Sequence, residues 1–219
     1  MRPVAVLRPE PGNAATAARA EALGLTVIRL PLFVVRAVAW HCPDPADHDA
    51  LILTSANAVR FGGTALASLR GLPALAVGAA TATAARDAGF DVVETGDQDA
   101  VALIALAHAR GFSHALYLGG RDRMVAPGGP IAATVTVYAS DALPIPAEAI
   151  QQLRGAVLLL HSARAARRLV ALADERHRYR IAALSEAVRD AAGPGWDGST
   201  VAAAPTDAAL LAAARSLAD

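Results

Sequence analysis

Lysine is missing from this chain altogether, and cysteine nearly so. All 20 basic residues in the 219 are arginines, and 20 acidic residues balance them to a formal net charge of zero. That balance removes any general electrostatic attraction to nucleic acid or to an anionic membrane surface. An acidic ligand must then be met by local groups. The all-arginine basic set fits a compositional habit and bidentate anion binding equally. The single cysteine, Cys42, excludes an intrachain disulfide and a cysteine-based metal cluster. No apolar run approaches the roughly 18 residues that span a bilayer. The opening Met1-Arg-Pro-Val-Ala-Val-Leu-Arg-Pro-Glu10 lacks the apolar core of a signal peptide. The expectation is a soluble protein of the cytoplasm.

Familiar catalytic motifs are missing too. There is no Walker loop, no nucleophile elbow and no pair of metal-binding histidines. Among the scattered histidines only His161 sits at a strand end, and it reads as a hydrogen-bonding or packing residue ahead of a catalytic one. Gly193-Pro-Gly-Trp-Asp-Gly198 fits the glycine pattern of dinucleotide binding, but it follows a helix and precedes a strand, the reverse of the required order. Cys42 has no histidine at a recognised spacing to activate it, so it reads as a filler. No metal or cofactor site emerges.

What the chain does have is a repeat. Leu51-Ile-Leu-Thr-Ser-Ala-Asn-Ala-Val-Arg-Phe61, an apolar strand delivering hydroxyls to a helix, returns as Leu158-Leu-Leu-His-Ser-Ala-Arg-Ala-Ala-Arg-Arg168, placing Ser162 over Ser55 at 162 − 55 = 107. Thr81 falls over Ser185 at 185 − 81 = 104, and Asp99 over Asp207 at 207 − 99 = 108. Alanine-rich helices imitate one another easily. The shared order and nearly constant offset carry the inference of duplication.

Along the chain, strands are expected at Val4 to Leu7, Thr26 to Leu30, Ala50 to Leu53, Ala74 to Val77, Asp91 to Glu94, Ala115 to Leu118, Thr134 to Tyr138, Ala156 to Leu160, Arg180 to Leu184 and Thr200 to Ala203. Most are followed by helical segments, the pattern of a parallel sheet with helices on its faces. The run after the sixth of these strands, Val125-Ala-Pro-Gly-Gly-Pro130, is too broken for a helix. Pro31 to Val38 stays extended and leads the chain out of one domain. The expected architecture is therefore α/β, with two five-stranded parallel domains, one inserted into the other. Residues 1–35 and 143–219 form a discontinuous domain, 39–138 the inserted one, and 36–38 with 139–142 the linkers.

Thr54, Ser55, Thr81, Ser162 and Ser185 each precede or open a helix, so helix capping is the plain reading. Ligands of parallel α/β sheets, however, bind beyond the carboxyl ends of the strands, where these residues gather. Helix N-termini there favour anions, through unpaired N–H groups and partial positive charge. If the two domains face one another, both sets line one cleft.

Taken in order, Arg8-Pro9, Thr54-Ser-Ala-Asn-Ala-Val-Arg60, Val77-Gly-Ala-Ala-Thr81, Thr136-Val-Tyr138, His161-Ser162, Leu184-Ser185 and Ala204-Pro-Thr206 resemble the uroporphyrinogen-III synthase family over essentially the whole chain. The resemblance implies two flavodoxin-like domains, each a five-stranded parallel sheet with helices on both faces, joined by a two-stranded linker. It implies a cyclising lyase of tetrapyrrole biosynthesis that closes hydroxymethylbilane with loss of water and inversion of the last ring, through an azafulvene and a spiro-pyrrolenine. No cofactor is implied, and no metal. The implied partners are the substrate hydroxymethylbilane and, transiently, hydroxymethylbilane synthase; the implied state is a monomer.

Tyr138 matches the family tyrosine proposed to help the hydroxyl leave. Its plain alternative is an ordinary aromatic on a linker strand. Thr54, Ser55, Thr81, Ser162 and Ser185 are the expected substrate carboxylate contacts, with Arg121 and Arg123 as clamps, against solvated loop charges as the alternative. Two features depart from the family: the short loop from Met124 to Ala133, and serine at 185 where threonine is common. A non-catalytic bilobal protein that closes on a small anion is the competing function.

Overall fold

A computed structural model of the chain describes residues 1–96, 99–122, 125 and 128–218. Along it come β1 (Val4–Val6), α1 (Gly12–Ala22), β2 (Val27–Arg29), β3 (Phe33–Ala37), β4 (Ala50–Leu53), α2 (Ala56–Phe61), β5 (Ala74–Val77) and α3 (Ala79–Asp87). Next are β6 (Val92–Gly96), α4 (Ala100–Ala109), β7 (Ala115–Gly120), β8 (Ile131–Ala142) and α5 (Ala147–Gln151). The chain ends with β9 (Val157–Leu160), α6 (Ala163–Leu172), β10 (Arg180–Ala183), α7 (Glu186–Ala192), β11 (Gly198–Val201) and α8 (Asp207–Ala218). Two compact units result, Met1–Val34 with Ala142–Asp219, and Val35–Asp141.

The first unit holds a five-stranded, wholly parallel sheet in the order β2-β1-β9-β10-β11. Strands β1 and β9 at its centre are apolar throughout because both faces are covered. Val4, Val6, Val157 and Leu159 turn to one face, against Ala17 and Ala20 of α1 and Leu210 and Leu211 of α8. Ala5, Leu158 and Leu160 turn to the other, against Ala165 and Leu169 of α6 and Val188 of α7. Alternation along each strand thus feeds two cores from one short segment. Leucines buried this way stabilise the sheet by about 1.5–3 kcal/mol each.

The second unit holds six strands in the order β3-β8-β7-β4-β5-β6, and the pairings from β8 to β6 are parallel. Leu51 and Leu53 face Ala58 of α2 and Ala85 of α3. Ala50 and Ile52 face Leu103 and Ala107 of α4.

The sixth strand corrects the expectation of five. Phe33–Ala37 reads as extended from its β-branched residues, but it pairs beside β8 as an edge strand. Val38 N–H donates to the Val137 carbonyl at 3.0 Å and Leu143 N–H to the Leu32 carbonyl at 3.0 Å, so the two strands run antiparallel. β8 has an edge that β7 does not cover. Its free edge offers backbone groups that need partners.

Strand order explains why the repeat covers only part of each unit. The segments β4-α2-β5-α3-β6-α4 and β9-α6-β10-α7-β11-α8 are the matching copies, and each lays three strands side by side. Beyond β9 lie β1 and β2, which precede it in the chain; beyond β4 lie β7 and β8, which follow it. The two parallel arrays have one spatial order reached by permuted chain order. Between β7 and β8, where the first unit has α1, no helix occurs among the described residues.

Candidate active site

In the second unit the carboxyl edge is built on β4, β5, β7 and β8. Ser55 leaves β4 in extended conformation, and its side chain accepts from Asn57 N–H at 3.2 Å, capping α2. Thr54 Oγ1 lies 2.8 Å from the Tyr117 hydroxyl, across the β4/β7 pair. Gly78 precedes α3 at φ 77°, ψ 151°, and no side chain caps that helix. Thr81 is therefore not a cap. It lies within the first turn and is buried, its N–H donating to the Gly78 carbonyl at 3.1 Å.

Tyr138 stands on β8 opposite Gly120, the last residue of β7. Its ring lies across that glycine: a Cβ added to Gly120 would sit 2.6 Å from the Tyr138 Cζ. Arg121, just beyond, donates to the Tyr138 carbonyl from its backbone at 2.9 Å, while its side chain pairs with Asp141 at 3.0 Å. Arg36 pairs with the same Asp141. The expected clamp is thus an exposed guanidinium already sharing a carboxylate. Arg123 lies outside the described residues.

In the first unit Ser162 lies two residues beyond β9 and caps α6, accepting from Ala165 N–H at 3.1 Å. Ser185 occupies the matching position before α7, but its hydroxyl makes no capping bond. The residue before Ser162, His161, is the register equivalent of Thr54, since 161 − 54 = 107. Its ring is nearly buried, with Nε2 3.0 Å from Asp207 Oδ1.

Asp207 gathers a network that sequence reasoning missed. It opens α8, with Thr206 as the cap. Thr16 Oγ1 donates to it at 2.8 Å and Arg19 Nη1 at 2.7 Å, and Arg8 Nη1 stands 3.7 Å away. Arg8 folds across Gly12 to arrive there, where a Cβ would lie 2.4 Å from its Nε. Burial would raise the Asp207 carboxyl, but hydrogen bonds from His161, Thr16 and Arg19 outweigh it and hold it below the usual range. At His161 burial wins instead, pushing the imidazole down against the opposing pull of Asp207. A neutral imidazole donating to an ionised carboxylate satisfies both directions. Thr16 and Asp207 are 191 residues apart, so no local pattern announces the network.

Tyr117 was missed for a similar reason: an apolar strand reads as core, and nothing in Leu116-Tyr-Leu118 shows that the hydroxyl reaches Thr54. Cys42 behaves as expected of a filler. Burial and then Asp44 push its thiol up, away from nucleophilic thiolate.

These features define a protein class: parallel α/β units whose carboxyl edges carry hydroxyls at helix starts. Structural comparison gives the class a fold. Uroporphyrinogen-III synthetase from Helicobacter pylori matches at a TM-score of 0.66 and 18% identity, covering 99% of this chain and 100% of that one. A mutant uroporphyrinogen III synthase from the extremely thermophilic bacterium Thermus thermophilus matches at 0.56 and 17%, covering 98% of each chain. No curated protein matches in sequence. The family model described as Uroporphyrinogen-III synthase HemD matches residues 14–212. The chain belongs to the uroporphyrinogen-III synthase family, cyclising lyases of tetrapyrrole biosynthesis.

Proposed function

We propose that this chain cyclises hydroxymethylbilane, with loss of water and inversion of the last ring, using Tyr138 to help the hydroxyl leave. Substrate carboxylates are met by Thr54, Ser55, Thr81, Ser162 and Ser185, with Arg121 and Arg123 as clamps. Membership of the family over residues 14–212 carries the reading. The duplicated serine at a helix start supports it, since Ser55 and Ser162 each stand where backbone N–H groups and a hydroxyl meet at a carboxyl edge.

The chemistry suits a neutral protein. Each helix start contributes about 0.3–1 kcal/mol toward an anion, so several together hold a heavily carboxylated guest without a basic surface. The short α2 and α7, of 6 and 7 residues, contribute mainly through individual N–H groups. Because the bilane also closes unaided to the other isomer, the main task is to favour one closure. About a hundredfold preference requires only ~2.7 kcal/mol, within reach of a held conformation. Tyr138, as a phenol, donates a hydrogen bond to the departing oxygen.

The two units are flavodoxin-like lobes, 1–35 with 143–219 and 39–138, joined by the strand pair through 36–38 and 139–142. The 2-1-3-4-5 order of the first unit supports this. The permuted parallel array of the second has the same spatial order. The protein works as a cytoplasmic monomer, receiving its substrate in transient contact with hydroxymethylbilane synthase. The test gives purified protein freshly made hydroxymethylbilane and separates the uroporphyrinogen isomers. Isomer III in excess is expected; isomer I alone, at the spontaneous rate, overturns the proposal in favour of a non-catalytic anion-binding protein.

A further inference from the structure

We infer that Gly120 is a positioning residue, whose missing side chain is what lets the Tyr138 phenol lie across the end of β7. The inference rests on the role given to Tyr138 above, and adds the group that sets where its hydroxyl stands. β7 ends in Gly119 and Gly120, both buried in the strand, and neither has the positive φ that would require glycine for backbone reasons. Steric space is the remaining reason. A Cβ at Gly120 would lie 2.6 Å from Tyr138 Cζ, 2.7 Å from Cε2 and 3.0 Å from the hydroxyl. All three atoms belong to the far end of the ring.

The backbone of Tyr138 cannot easily yield. It pairs with Gly120 in the sheet, and its carbonyl accepts from Arg121 N–H at 2.9 Å. The ring can, because it is only partly buried. A methyl at 120 therefore displaces the phenol and leaves the strand in place. Gly119 offers the contrast one residue earlier, on the opposite face. A Cβ there would meet Tyr117 Cε1 at 2.4 Å, and Tyr117 is buried with its hydroxyl tied to Thr54. At 119 a methyl strains a core; at 120 it moves a reacting group.

Misplacing a catalytic group by about 1 Å costs on the order of 10- to 100-fold in rate. Turnover of hydroxymethylbilane is to be measured for wild type, Gly120→Ala, Tyr138→Phe and the double variant. Gly120→Ala is expected to lower kcat about tenfold, with KM and melting temperature nearly unchanged. It should cost nothing further in the Tyr138→Phe background, because its effect passes through the phenol. With Tyr138→Phe impaired, wild-type kcat in Gly120→Ala, or an equal added loss in the double variant, overturns the inference. A crystal structure of Gly120→Ala separates this from the role of Tyr138 itself. A displaced ring supports the positioning even should Tyr138→Phe turn over normally, which would remove Tyr138 from the mechanism alone; a ring in its original place overturns the positioning.

Discussion

Asp207 shows what a single residue can join. Its carboxylate collects Thr16 and Arg19 from α1, His161 from the end of β9, and the Arg8 guanidinium beyond β1, with His161 itself flanked by Arg8 and Asp207. The folded imidazole is held below its ordinary value near 6.5. As pH falls through that value, the unfolded chain takes up the proton first, so the folded state loses stability. Replacing His161 with Gln, which can still donate to Asp207, is expected to flatten this part of the stability profile, measured by denaturant unfolding from about pH 7.5 to about pH 5, the range in which an ordinary imidazole titrates. An unchanged slope would mean that other groups produce it. Asp207 acts lower: its depressed carboxyl contributes above about pH 3.8, and that contribution is lost as pH falls through the folded value. Tyr117→Phe should cost about 0.5–1.5 kcal/mol by removing the partner of Thr54, read from the unfolding midpoint. Serines at strand ends were legible as caps because capping is local, and Ser55 and Ser162 do cap. Partners such as Thr16 for Asp207 were not, because their closeness exists only once two distant helices pack.

At the scale of elements, helix starts differ in how they are made. Ser162→Ala removes the cap of α6 and is expected to cost about 1 kcal/mol, whereas Ser185→Ala, at a position without a capping bond, should leave stability nearly unchanged. The difference is measurable by parallel chemical unfolding, and equal losses would refute it. α3 depends instead on Gly78, whose φ of 77° and ψ of 151° suit glycine almost alone. Gly78→Ala should therefore destabilise by about 1–3 kcal/mol, more than either serine change. Element existence was readable from apolar runs and turn residues. The pairing of β3 with β8 was implied only by the family's two-stranded linker. Phe33–Ala37 announces an extended segment, but its local pattern does not say that the uncovered edge of β8 is where it pairs.

On the scale of the whole molecule, each unit has cores on both faces of its own sheet. Leu158→Ala is expected to cost about 2–5 kcal/mol, and hydrogen exchange should register the loss in amides of Met1–Val34 and Ala142–Asp219 while those of Val35–Asp141 keep their protection. An even loss across the chain would show that both units open as one. The family was legible before any coordinates, because its residues recur in order along the chain. So was the parallel α/β class, which follows from strands followed by helices at close spacing. Local physics decides such features: side-chain periodicity, capping and turn chemistry act within a few residues. The permuted route to one strand order, the sixth strand, the Asp207 network and the seat of Tyr138 on Gly120 were decided by the tertiary structure. Each depends on which distant segments share an edge or a face, and that is fixed only when burial and backbone pairing are satisfied together.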